Sequence, residues 1–136
     1  MTATMPPELG TGSLFLRNAL RVDGWSTAAF GVFMLALGPV LREPLGVPSH
    51  WSVPIGVAML GGAAALLLIA RLAVISARLA WGVVTANAVS VLAMVVLAVT
   101  DVMPLTGWGR AFLFLGAAAV AVFASFEYVG LRRTER

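Results

Sequence analysis

The chain contains no cysteine and no lysine, has a single histidine, and only 11% of its residues are charged. Each shortage excludes a chemistry. Without thiols there are no disulfides, no thiolate metal sites and no cysteine-linked lipid anchor. One histidine and no cysteine leave a protein-ligated transition metal without its usual donors, so neither metal nor cofactor is expected. A soluble domain is about a quarter charged. Here 60% of the residues are hydrophobic and the mean hydropathy is +0.98, which excludes an ordinary soluble fold. No phosphate-binding Walker loop, dinucleotide glycine fingerprint, HExxH or Ser/His/Asp set is present.

What the chain does have is four long apolar runs, at residues 22–41, 53–70, 79–100 and 110–131. Each comes close to the ~20 residues needed to cross a ~30 Å hydrocarbon core. Lipid offers no partner for backbone N–H and C=O groups, so each run is expected to be helical. They fill most of the 136 residues and imply one domain, a four-helix antiparallel membrane bundle over residues 14–133. Residues 1–13 are expected to form a flexible tail and 134–136 a short C-terminal one. The first run exceeds a usual signal-peptide apolar region and is expected to be retained. Residues 14–22 carry apolar side chains at helical spacing and read either as a continuation of the first span or as a short interfacial helix.

Turn chemistry suggests the connections. Gly38-Pro39 is expected to disturb the end of the first span, followed by an irregular loop over residues 42–48. Ser52 is a candidate N-cap, with Pro54 in the first turn of the second span. Residues 101–107 form the equivalent break before the fourth span, with Asp101 ending the third.

The distribution of arginine adds orientation. Of nine cationic residues, seven (Arg17, Arg21, Arg71, Arg78, Arg132, Arg133 and Arg136) flank the two termini and the junction of spans two and three. Only Arg42 and Arg110 fall in the other two connections. Cationic residues collect on the cytoplasmic side of short loops, so both termini are expected inside. The +3 net charge then reflects arginines facing anionic lipid headgroups rather than nucleic acid. Trp25, Trp51, Trp81 and Trp108 lie near the expected interfaces, as does Tyr128. His50, beside Trp51, reads as part of the same belt.

Small residues indicate packing surfaces. Gly24, Gly31 and Gly38 recur every seven residues, with Ala28 on nearly the same face, and Gly82 and Ala86 lie four apart on the third span. In lipid, helices associate by close backbone approach at such positions. The seam serves packing within the bundle, or a homo-oligomer or membrane-protein partner.

Chemistry must come from few polar groups. Asp23 follows Arg21 at the inner mouth of span one. Glu127 lies about 7 Å of helix inside Arg132, and Asn87 about 13 Å beyond Arg78. These three converge on one leaflet with Arg17, Arg21, Arg71, Arg78 and Asn18. An ionisable side chain inside a span is costly and normally faces the interior, paired. One meaning is structural: Glu127 with Arg21 or Arg78, and Asp23 with Arg17 or Arg71, as interhelical ion pairs. The other is a polar pocket in which Asp23 and Glu127 act as acid and base. Arg21, Asn87, Arg78, Tyr128, Trp25 and Trp81 would then bind the ligand.

A resemblance rests on short motifs: Leu20-Arg21-Val22-Asp23-Gly24, Pro44-Leu45-Gly46-Val47-Pro48 and Glu127-Tyr128-Val129-Gly130-Leu131-Arg132-Arg133. Across most of residues 14–133 the chain resembles small four-helix integral membrane proteins of actinobacteria and other GC-rich bacteria, mostly without an assigned activity. The resemblance implies a bacterial plasma-membrane location, and it matches polar positions at Asp23, Asn87 and Glu127.

Three function classes follow. One is a membrane protein that binds a lipophilic ligand or partner subunit through the polar cluster. Another is an intramembrane enzyme doing acid–base chemistry, such as cyclisation, isomerisation or epoxide opening, on an isoprenoid-like substrate. A small oligomeric transporter is the third, disfavoured because the outer half offers no polar continuation.

Overall fold

The computed structural model describes the backbone of residues 7–135 and the side chains of residues 14–134. Four helices follow in order: α1 (Pro7–Leu45), α2 (Ser49–Ala70), α3 (Ala77–Val99) and α4 (Gly107–Glu135). No strand occurs among the described residues. All four helices are long and apolar enough to cross a membrane, so this is a multi-pass membrane protein of all-helical architecture. Only 11–22% of each span is buried within the protein. Many large apolar side chains, among them Val40, Leu68, Leu92, Val99 and Leu115, are exposed on the outside of the bundle, which suits hydrocarbon and not water.

The helices are antiparallel neighbours in the spatial order α2–α1–α4–α3. One end of the bundle, called proximal below, holds the start of α1, the α2–α3 turn and the end of α4. The distal end holds the other two connections. Helix α1 is 39 residues long, about 58 Å at 1.5 Å per residue, well beyond a ~30 Å hydrocarbon core. It begins at Pro7 and so takes in backbone that the sequence suggested as tail; residues 1–6 lie outside the described residues. Residues 14–22 are a continuation of the first span.

Two expectations about proline are corrected. Helix α1 runs through Pro39 and Pro44 to Leu45 instead of breaking at Gly38-Pro39. A proline removes one backbone hydrogen bond. Here packing holds the helix across that gap, because Gly38 is buried against Ser52 of α2. The loop over residues 42–48 therefore shrinks to Gly46-Val47-Pro48. Gly46, at φ +74°, returns its N–H to the Arg42 carbonyl at 2.8 Å, the left-handed close that a glycine makes without a Cβ clash. Second, α2 starts at Ser49 after an extended Pro48, so Ser52 is not its N-cap. Ser52 is instead buried, and its hydroxyl donates to the Ser49 carbonyl at 3.5 Å. Pro54 accordingly falls beyond the first turn.

The glycine seam of α1 faces α2. A Cβ on Gly24 would meet Leu67 at 2.9 Å, one on Gly31 would meet Leu60 at 3.0 Å and the Gly56 carbonyl at 3.1 Å, and one on Gly38 would meet Ser52. The seam is thus consumed inside the bundle. Gly130 does the same for the α1–α4 crossing, against the backbone of Leu16. Gly61, Gly62 and Gly82, by contrast, look onto open space.

Arginines finish two helices. The Arg17 guanidinium donates to the carbonyls of Ala70, of Leu72 at 2.6 Å and of Ala73 at 3.4 Å, where α2 ends. Arg110 donates to Ala98 at 2.5 Å and Thr100 at 3.3 Å, where α3 ends, and pairs with Asp101 at 3.1 Å. A cation suits the orphan carbonyls and the negative pole at a helix C-terminus. The N-termini of α3 and α4 are capped by hydroxyls: Ser76 accepts from Leu79 N–H at 3.2 Å, and Thr106 from Gly109 N–H at 3.0 Å.

Candidate functional site

Two apolar clusters fill the ends of the bundle. Proximally, Leu16, Leu20, Leu66, Ala70, Ile75, Ala80, Val83 and Leu131 pack together from all four helices. Distally, Met34, Val47 and Met103 are surrounded by Phe33, Trp51, Leu97, Phe112 and others. Between them, α1, α3 and α4 each contribute one strongly polar residue. Asp23 is 1% exposed, Glu127 is fully buried, and Asn87 is half-buried.

Asn87 joins the three helices. Its Nδ2 donates to Asp23 Oδ2 at 2.9 Å and to Glu127 Oε1 at 2.5 Å. Thr27, one turn further along α1, donates its hydroxyl to Asp23 Oδ1 at 3.1 Å. The Asp23 and Glu127 carboxyl groups also lie against one another, close enough to share a hydrogen bond when one of them holds a proton. Glu127 Oε2 is buried and has no hydrogen-bond partner among the described residues. Counted along the helices, Asn87 lies about 15 Å from Ala77 and Glu127 about 12 Å from Glu135. Asp23 lies about 14 Å from Leu14, the start of the first candidate span. Its bond with Asn87 sets it at the same level of the bundle as Asn87 and Glu127.

The local sequence explains this placement. Glu127 is flanked by Gly130 and Leu131, both buried against α1, so that face of α4 looks inward. Gly24 next to Asp23 lets α1 lie close to α2, and Asp23 then turns toward α3 and α4. On α3, Ala80 and Val83 are buried, and Asn87 continues their stripe at i+4.

The remaining sequence candidates do not converge on the cluster. Arg21, Arg78 and Trp25 are exposed. Among the described residues the only ion pair joins Arg110 and Asp101. The expected pairs of Glu127 with Arg21 or Arg78, and of Asp23 with Arg17 or Arg71, are therefore absent. Arg17 is taken by the end of α2, and a neutral amide does what the arginines were expected to do. Tyr128 is next to Glu127 in sequence but points outward, where its ring meets Trp81 edge-on at 5.7 Å. A cleft of about 340 Å³ opens beside Tyr128, Val129, Arg132 and Arg133 at the end of α4. Arg133 also lies 4.7 Å over the ring of Phe15. Thr27 was missed in the sequence; its position one turn after Asp23 is the signal that would have found it. Among the described residues no group of His, Asp and Glu is arranged to hold a metal ion.

The cluster can accept hydrogen bonds and hold or pass a proton. Comparison with protein-family models, curated proteins and solved structures finds no match to this chain.

Proposed function

We propose that this is a small integral membrane protein that binds a lipophilic ligand at the Asp23–Asn87–Glu127 cluster. The observation that carries the reading is the unpartnered, fully buried Glu127 Oε2. A buried polar atom without a partner costs about 1–3 kcal/mol, more if charged. Placed within hydrocarbon depth beside a second carboxyl group, such an atom marks a functional position by default. A purely structural role would be met at lower cost by an apolar contact.

Access follows from the helix order. Helix α3 packs mainly on α4, and Asn87 is the half-buried member of the cluster. A ligand enters along α3, its polar end at Glu127 and its apolar part among the lipid-facing residues. The arginine distribution supports placing the proximal end in the cytoplasm of a bacterial cell, with the cluster in that leaflet. A second reading, an intramembrane enzyme doing acid–base chemistry on an isoprenoid-like substrate, is favoured by the two carboxyl groups held to one amide. The apolar distal cluster argues against a transport path.

The test is extraction of the protein from its native membrane in mild detergent, followed by native mass spectrometry. The wild type is expected to carry a lipophilic adduct that Glu127→Gln loses while keeping its helical circular dichroism. A wild type free of any adduct would count against the reading.

A further inference from the structure

The arginines of the proximal end differ in how they are employed. Arg17 is consumed by the carbonyls that end α2. Arg132 and Arg133, in the last turn of α4, are exposed and have no hydrogen bond or carboxylate partner among the described residues. The exposed acids of the described residues, Glu43 and Asp101, both lie at the distal end, and Asp101 is already paired with Arg110. Among the described residues, then, no exposed acid balances these two guanidinium groups.

Arg132 and Arg133 line a cleft of about 340 Å³ together with Tyr128 and Val129. Aromatic rings hold its walls in place. The Arg133 guanidinium lies 4.7 Å over Phe15, which meets Phe126 edge-on at 6.1 Å, and Tyr128 rests edge-on against Trp81 at 5.7 Å. A guanidinium laid on an aromatic face keeps its N–H edge for a ligand, and its planar fork matches the oxygens of a phosphate. The phenol of Tyr128 adds an O–H donor. The Trp81–Tyr128 contact also sets the level of a further cation. Arg78, one turn before Trp81, and Arg132, one turn after Tyr128, lie at about the same height on antiparallel helices.

What leads away from the cleft is apolar. Val129, Val122 and Leu115 recur every seven residues on α4 and all are exposed. Cations and a hydroxyl at the end of a lipid-facing apolar stripe suit a ligand with an anionic head and a hydrocarbon tail. A free phosphate would use the head site alone. A zwitterionic lipid would bring its own cation against the arginines. We infer that this cleft binds the phosphate headgroup of an anionic phospholipid in the proximal leaflet, with an acyl chain along the Val129–Val122–Leu115 stripe. The site is separate from the Asp23–Asn87–Glu127 cluster and does not rest on the binding reading above.

The experiment adds two lipids with the same chains, dioleoyl phosphatidylglycerol and dioleoyl phosphatidylcholine, to the detergent-solubilised full chain. Retention is read by native mass spectrometry, which identifies each lipid by its mass. Phosphatidylglycerol is expected to be retained at least roughly tenfold above phosphatidylcholine. The double substitution Arg132→Gln/Arg133→Gln should bring it down to the phosphatidylcholine level. Tyr128→Phe, which removes only the hydroxyl, should weaken it roughly threefold and guards against a misfolded double variant. Arg42→Gln, at the distal end, and Glu127→Gln, in the central cluster, should both keep the added lipid. Equal retention of the two lipids, or as large a loss in Arg42→Gln or Glu127→Gln, overturns the site. Displacement of phosphatidylglycerol by millimolar inorganic phosphate overturns the lipid assignment in favour of a free-anion site.

Discussion

The distal and central interiors of this bundle are built from the same helices and opposite chemistry. Distally, Met34, Met103, Phe33 and Phe112 interlock, with Phe33 and Phe112 stacked at 6.3 Å. The two connections there clasp each other, Thr106 donating to the Pro44 carbonyl at 2.5 Å and the Leu45 carbonyl accepting from Thr106 N–H at 3.1 Å. Every part of that interior serves cohesion. About three helical turns from Met34 along α1, at Asp23, the interior instead holds two carboxyl groups and an amide, with one oxygen that accepts no donated hydrogen. Cohesion alone would extend the apolar packing through this level. On the proposed function, stability belongs to the distal cluster and binding to the central one.

Four substitutions sharpen or break that contrast. The largest effect is expected from Asn87→Ala, which strips both carboxyl groups of their shared donor. Breaking a buried hydrogen-bonded charge network costs about 3–5 kcal/mol, read as a lowered thermal midpoint in detergent. Next is Met103→Ala, which opens a cavity in the distal cluster for about 2–4 kcal/mol and should leave ligand retention unchanged. Gly56→Val should cost about 1–3 kcal/mol through overpacking, because its Cβ would meet Leu35 at 2.7 Å and the Gly31 carbonyl at 3.1 Å. A chemical crosslink or melting assay that shows no loss would contradict the α1–α2 crossing. The smallest effect belongs to Asp101→Asn. Its carboxylate is 98% exposed in the pair with Arg110, so the midpoint should scarcely move.

Much of the fold was legible because lipid imposes simple rules. The four apolar runs announced four helices, and the seven-residue glycine spacing announced a smooth face on α1. Boundaries were less legible. Pro39 reads as a helix breaker, yet burial of Gly38 on α2 carries the helix past it, and that contact is tertiary. Of the site, Asp23, Asn87 and Glu127 stood out because polar groups are rare in these spans, and the structure brings all three together. Their partners could not be read from spacing. Arginine density suggested ion pairs, but the capping of α2 by Arg17 depends on how α1 and α2 end beside each other. The outward course of Arg21, Arg78 and Trp25 depends on the rotation of each helix, which four nearly uniform apolar faces leave unmarked.

The central claim is that Glu127 is kept for binding and not for stability. It is tested most directly by recording the native mass spectrum of Glu127→Gln beside the wild type over a temperature ramp. Replacing a buried carboxyl group by an amide of the same shape removes an ionisable group without opening a cavity, so unfolding should occur at the wild-type temperature or above it. The lipophilic adduct should be gone. A variant that keeps the adduct, or one that loses it only in step with a fall in unfolding temperature, would contradict the account.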